Sequence, residues 1–193
     1  MAEKFDTIFN YVTALLAKEL PKYLTYHNLN HTLYVIDKAE YIALKEKVPQ
    51  KDVLLIKIAA LYHDVGFIKT RDGHELESCR IARKQLRSFG YKAEDIEVIC
   101  NTIMATKIPQ RPTSHLGQIL ADADLEYLAT NKFSPISELL YKELKHFNND
   151  LTRSHWNQMQ IHFISKHNYH TKYCQRYKSF RKDRNLQKLK SVM

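Results

Sequence analysis

Glycine and proline are scarce in this chain, at 4 and 5 of 193 residues, where an average protein of that length carries about 12% of the two together. So few turn residues argue against a sandwich or barrel of many short strands. The glycines stand alone at Gly66, Gly73, Gly90 and Gly117. No GxGxxG or GxxxxGK[ST] loop exists, which excludes the standard dinucleotide fingerprint and the P-loop. Cysteine is limited to Cys79, Cys100 and Cys174, with no CxxC pair. The three are expected to be reduced thiols in a cytoplasmic chain, with Cys79 and Cys100 as small core residues. The longest apolar run, near 53–62, is interrupted by Lys57. No membrane span is expected, and MAEKFDTIFN lacks the pattern of a secretory leader.

Acidic residues are few in one place above all. The chain carries +9, but residues 171–193 hold eight Lys/Arg against the single acid Asp183. The basic balance therefore belongs mainly to the C-terminal segment. Its apolar side chains (Tyr173, Tyr177, Phe180, Leu186 and Leu189) point to a helix that packs on the core with a solvated basic face. Nucleic-acid binding through this tail is the less favoured reading.

What the sequence has in abundance is helical periodicity. Phe5, Ile8, Phe9, Val12, Leu15, Leu16 and Leu20 recur at i, i+3, i+4 and i+7, predicting a helix over about 3–20 that Pro21 ends. Further helices are expected over about 31–47, from Pro49 to a stop at Gly66, and over 74–89, 93–106, 115–129, 135–148, 152–167 and 172–190. No repeat and no alternating strand is present. The expected fold is all-α, a single compact domain spanning 1–193, with a motif core at 26–130 and C-terminal helices at 135–190.

His63-Asp64 closes an otherwise apolar helix. An imidazole and a carboxylate buried there need a partner, and a divalent cation would pair with both. The same pair at a solvated helix end would need none. His31 opens the stripe that continues as Val35, Ala39 and Ile42, with His27 four residues before it. Asp122 and Asp124 sit in the apolar stretch ILADADLEYLA, where an inward carboxylate needs a charge or strong hydrogen bonds. One His, a His-Asp pair and one Asp, from three helices, would form a four-ligand N/O site with open positions for water.

The order H…HD…D, in the contexts YHNLNHTLYV, AALYHDVGF, GHELES and ILADADLEYL, resembles the HD-domain superfamily of metal-dependent phosphohydrolases, in particular a stand-alone bacterial branch. The resemblance implies that His31, His63, Asp64 and Asp124 bind the metal. Asp124 is taken over Asp122 because the family aspartate precedes an apolar residue. The YHNLNH segment is also similar to the Tyr-His-x-x-x-His of class I cyclic-nucleotide phosphodiesterases, which implies that His27 is a general acid. Histidine titrates in the range that this task needs. Asp64 would accept a proton from the nucleophile. Lys69, Arg71, His74 and Lys107 are candidates for holding substrate phosphate, with His74 at a helix N-terminus.

The implied cofactor is one divalent transition metal, Mn, Fe, Co, Ni or Zn. A second is not expected, since only His74 and His115 lie between the HD pair and the last aspartate, and Thr106 stands where some binuclear relatives carry a histidine. The implied partner is a small phosphorylated molecule of the nucleotide class. Two other classes share these residues: a nucleic-acid or signal-binding module with a structural metal, and a di-iron oxygenase.

Overall fold

A computed structural model describes residues 2–191. Helices account for its regular structure, and no strand occurs among the described residues. The first is α1 (Ala2–Glu19), whose Ile8, Val12 and Leu16 are fully buried along one stripe. Asn28 then caps α2 (Leu29–Lys45), its side chain accepting from the backbone N–H groups of Asn30 and His31. This cap starts the helix two residues earlier than the periodicity predicts and places His31 inside the first turn.

The central element is α3 (Gln50–Tyr62), buried on nearly every side. It packs on α1 and α2 and on two later helices, α5 (Ala93–Met104) and α6 (His115–Asp124). Its all-round apolarity suits that central place. The helix ends at Tyr62, and the chain passes through His63 and Asp64 into a 3-10 turn at Val65–Ile68.

Gly66 was expected to stop this helix, but it stands beyond the helix end and its φ is not in the left-handed region. Its smallness serves a close approach instead. A Cβ there would collide with the carbonyl oxygen of His74 and stand 2.8 Å from the Ser78 backbone nitrogen. The glycine thus lets the start of α4 (His74–Ser88) press against the His63–Asp64 turn. Buried Ser78 clamps the contact: its hydroxyl donates to the His63 carbonyl at 2.7 Å and accepts the Gly66 N–H at 2.8 Å. Cys79 and Cys100 are buried between α4 and α5, as expected of small core residues.

Two further departures matter. The helix predicted over 115–129 ends at Asp124 and continues as a 3-10 turn, Glu126–Ala129. After α7 (Phe133–Phe147) and α8 (Arg153–Lys166), the tail helix predicted over 172–190 breaks at Lys178 into α9 (Lys172–Tyr177) and α10 (Ser179–Lys190). The break rotates part of the presumed inner face outward. Leu186 and Leu189 pack with Tyr26, Leu128, Phe133 and Ile164, whereas Tyr177 and Phe180 are 53% and 72% exposed. Two tail cations turn inward: Lys178 pairs with buried Glu126, and Lys182 donates to the His167 carbonyl.

Candidate metal centre

Three helix ends and the turn after α3 converge. His31 comes from the first turn of α2, His63 and Asp64 from the end of α3, and Asp124 from the last residue of α6. One ligand atom from each of His31, His63 and Asp124 lies within 4.8 Å of the others. His31 Nε2 is 3.3 Å from His63 Nε2 and 3.1 Å from Asp124 Oδ1. Asp64 Oδ2 lies 3.1 Å from His63 Nε2 and 3.4 Å from His31 Nε2.

The hydrogen bonds around the cluster identify the free atoms. His63 Nδ1 faces the Ala60 carbonyl at 2.8 Å. A carbonyl only accepts, so Nδ1 carries a proton and Nε2 is the ring nitrogen that faces the cluster. Asp64 Oδ2 is buried with no hydrogen-bond donor among the described residues. Two imidazole nitrogens facing each other beside two carboxylates call for positive charge between them. This donor set could hold a metal ion.

The titration behaviour has the same cause. Burial lowers the pKa of His63, but the Asp64 and Asp124 carboxylates more than reverse this and push it up to about 9. Burial works against ionised Asp64, yet His63 and His74 hold its carboxyl well below the usual carboxylate range.

The neighbouring aspartate does other work. Asp122 Oδ1 accepts the His170 N–H, and Oδ2 accepts both the N–H and the hydroxyl of Thr171, at 2.7–2.8 Å. It anchors the lead-in to α9 and is not part of the ligand cluster.

His27 stands beside the cluster, its ring centroid 5.9 Å from that of His31. Its Nδ1–H donates to Glu143 Oε1 at 2.5 Å, and Glu143 Oε2 accepts the backbone N–H groups of Tyr26 and His27. Glu143 is buried, and burial raises its pKa while His27 brings it below the usual range. Sequence reasoning missed this residue. Its one signal is that it sits on α7 among Ile136, Leu140 and Leu144, an acid beside a core-facing stripe.

The candidate phosphate residues separate. His74 Nδ1–H donates to the Arg71 carbonyl at 3.0 Å, leaving Nε2 at 3.5 Å from Asp64 Oδ1. Its ring and that of His27 both stack on Phe67, at centroid distances of 3.9 and 4.5 Å. Arg71 lines a cavity that also touches His27 and Asp124. Lys69 and Lys107 are exposed and do not line that cavity. Thr106 turns its hydroxyl to the Ile103 carbonyl, and His115 lies 3.6 Å from Glu46, apart from the cluster.

No described helix is long and apolar enough to cross a membrane. The chain is 30% identical over 102 residues to an uncharacterised protein of Clostridium beijerinckii, covering 51% of this chain and 62% of that relative. The crystal structure of Bacillus subtilis YpgQ in complex with ADP shares the fold, with a TM-score of 0.69, 23% identity, and coverage of 99% of this chain and 94% of that one. Residues 28–126, about half of the chain and the stretch that holds His31, His63, Asp64 and Asp124, match the HD domain, and the protein belongs to the HD domain family.

Proposed function

We propose that this protein is a metal-dependent phosphohydrolase that cleaves a phosphoester or phosphoanhydride of a nucleotide. The observation that carries the reading is the convergence of His31, His63 and Asp124 beside the buried Oδ2 of Asp64. The HD domain family comprises metal-dependent phosphohydrolases, and the B. subtilis protein of the same fold was crystallised with ADP. The reading takes the whole chain as one unit, because the cavity wall draws on the motif segment and on α7 and α8 alike.

His31, His63, Asp64 and Asp124 would hold one divalent transition metal. A cation bound there supplies Lewis acidity, lowering the pKa of water toward neutrality and offsetting phosphoryl charge. Asp64, whose Oδ1 faces His74, would take the proton of the attacking water. His27 would protonate the leaving oxygen from Nε2. Glu143 fixes its Nδ1–H and offsets the imidazolium charge, so the ring presents the correct nitrogen before the substrate arrives. Arg71 would hold a phosphoryl oxygen at the cavity.

The test is a panel of nucleotides and simpler phosphoesters with added Mn²⁺, read by release of phosphate or nucleoside. His31→Ala and His63→Ala are expected to lose both metal and hydrolysis. His27→Ala should keep its metal and lose about 10²–10⁴-fold on alkyl or nucleoside esters, with much smaller loss on a p-nitrophenyl ester that needs little protonation. Full metal content in His63→Ala, or no hydrolysis of any substrate by the metal-loaded chain, overturns the reading.

A further inference from the structure

The basic tail takes no part in the metal centre, and three of its cations fall in one row. Arg181, Arg184 and Lys188 follow at i, i+3 and i+7 on α10, so they share a face over about 10 Å. All three are exposed, and none makes an ion pair among the described residues. The one acid of α10, Asp183, lies 3.7 Å from Lys182 instead.

The row runs along two joined depressions of the surface. One, of about 500 Å³, is lined by Arg181, Arg184 and Lys188 against residues 129–131. The other, of about 670 Å³, shares Arg181 and adds Lys178 with Lys38 and Lys45 of α2. Both are braced from below. Asn185 Nδ2 donates to the carbonyls of Leu128 and Thr130, each at 2.9 Å, and Lys178 pairs with buried Glu126. Neither depression shares a lining residue with the cavity beside the metal centre.

Aromatic rings stand at one end of the row. Tyr41, Tyr173 and Tyr177 line the larger depression, their centroids 5.7 Å apart for the first pair and 5.2 Å for the second. The Tyr173 hydroxyl donates to that of Tyr41 at 3.2 Å. That bond, followed by the charges of Lys45, Lys178 and Lys38, holds the Tyr41 phenol below its ordinary pKa. The field of three ammonium groups thus reaches the aromatic end. The periodicity of the tail puts Tyr177 on the packed face, but the break at Lys178 leaves it 53% exposed. This removes the reason for reading the tail as a packing helix alone.

Exposed rings beside unpaired cations are what an unpaired nucleic-acid strand needs, bases on the rings and phosphates on the cations. A single nucleotide fits less well, because Arg184 and Lys188 lie in the depression beyond the tyrosines. A duplex fits less well, because its bases are stacked inside and do not reach the rings. We infer that α10, α9 and the facing side of α2 form a binding face for single-stranded nucleic acid, with phosphates along Arg181, Arg184 and Lys188 and a base stacked at Tyr177. This is a second function, and it does not rest on the phosphohydrolase reading.

The test is fluorescence anisotropy of labelled oligothymidine and oligouridine, of about 15 nucleotides, with the full chain. At least one strand is expected to bind, and the tighter of the two assigns the sugar. Its log K should fall against log salt with a slope of about −2, the value for three phosphate contacts on a single strand. Arg181→Gln, Arg184→Gln and Lys188→Gln together should weaken binding at low salt by about 100-fold and remove most of that slope. Lys84→Gln, Arg87→Gln and Lys92→Gln together take the same charge from another exposed surface and should bind as the wild type does. Tyr177→Ala should lose about tenfold with the slope unchanged, since stacking releases no counterions. No binding of either strand at low salt, equal losses in the two triple variants, full affinity in Tyr177→Ala, or equally tight binding of a duplex of the same length overturns the inference. So does capture of phosphatidylserine vesicles through the same three cations with no affinity for either strand, which assigns the row to a membrane surface.

Discussion

The Nδ1–H of His27 donates to Oε1 of Glu143, a residue 116 positions later in the chain. A loop histidine is thereby held by a buried carboxylate on α7. If His27 is the acid of the reaction, Glu143 positions it. Glu143→Gln should keep its metal and lose about 10–100-fold on alkyl or nucleoside esters, the usual scale for a group that orients another. The loss on a p-nitrophenyl ester should be clearly smaller, and a pair of rate measurements decides it. Glu143→Ala also strips the backbone N–H groups of Tyr26 and His27 of their acceptor. It should lower the unfolding free energy by about 2–4 kcal/mol, read in a urea melt.

Asp122 and Asp124 stand two residues apart, and their substitutions should fail in opposite ways. Asp124→Asn is expected to weaken metal binding, because Asn is a neutral and poorer ligand. Asp122→Asn should retain the metal and lose about 2–3 kcal/mol of stability, since it meets three donors with one oxygen and an NH₂ group. Elemental analysis and thermal melts on both variants check the pair.

Gly66→Ala should be severe for its size. The added methyl collides with the backbone of His74 and Ser78, neither of which is a flexible side-chain end. A destabilisation of about 3 kcal/mol is expected, together with lost metal as the His63–Asp64 turn is pushed off α4. Wild-type metal affinity and stability in this variant would show that α4 is free to yield.

Acid should destabilise the chain through His167. Burial, together with Lys182 and His170, lowers its pKa to about 4 from an ordinary 6.5. Below pH 6.5 the unfolded chain takes up a proton that the folded chain refuses, so stability falls as the pH drops from 6.5 to 4 and this contribution then levels off. The whole effect is about 3 kcal/mol. His167→Phe removes the titrating ring and should flatten the dependence of unfolding free energy on pH across that window.

Much of the site could be read from local patterns. His31 opens an apolar stripe, and His63-Asp64 ends an apolar helix. The helical period alone places these near one another once α2 and α3 pack. Where the helices end could not be read so well. The apolar pattern of 115–129 runs on past Asp124, but the backbone tightens into a 3-10 turn there, which periodicity does not record. The tail departs from the periodic pattern at Lys178, where the helix breaks and the side chain pairs with Glu126, 52 residues earlier. Glu143 was almost out of reach: its place beside the apolar stripe of α7 marks a buried acid, but its partner His27 lies 116 positions earlier, and its neighbours in sequence say nothing of that.

The cavity wall has a consequence for how such a protein can diverge. The four proposed metal ligands lie between 31 and 124, inside the stretch that matches the family, while Phe133, Leu144, Trp156, Gln160 and Phe163 lie beyond it. On the proposed reading, the metal ligands and the α7–α8 part of the wall are thus written on separate lengths of chain. Substitutions in α7 and α8 can retune which molecules enter while every ligand atom stays in place. Glu143 is the exception, because it sits on the wall-forming helix yet holds His27. Any exchange of that helix between relatives exchanges the support of His27 along with the wall, so on the proposed reading a chimera keeps the acid in place only if the carboxylate travels too.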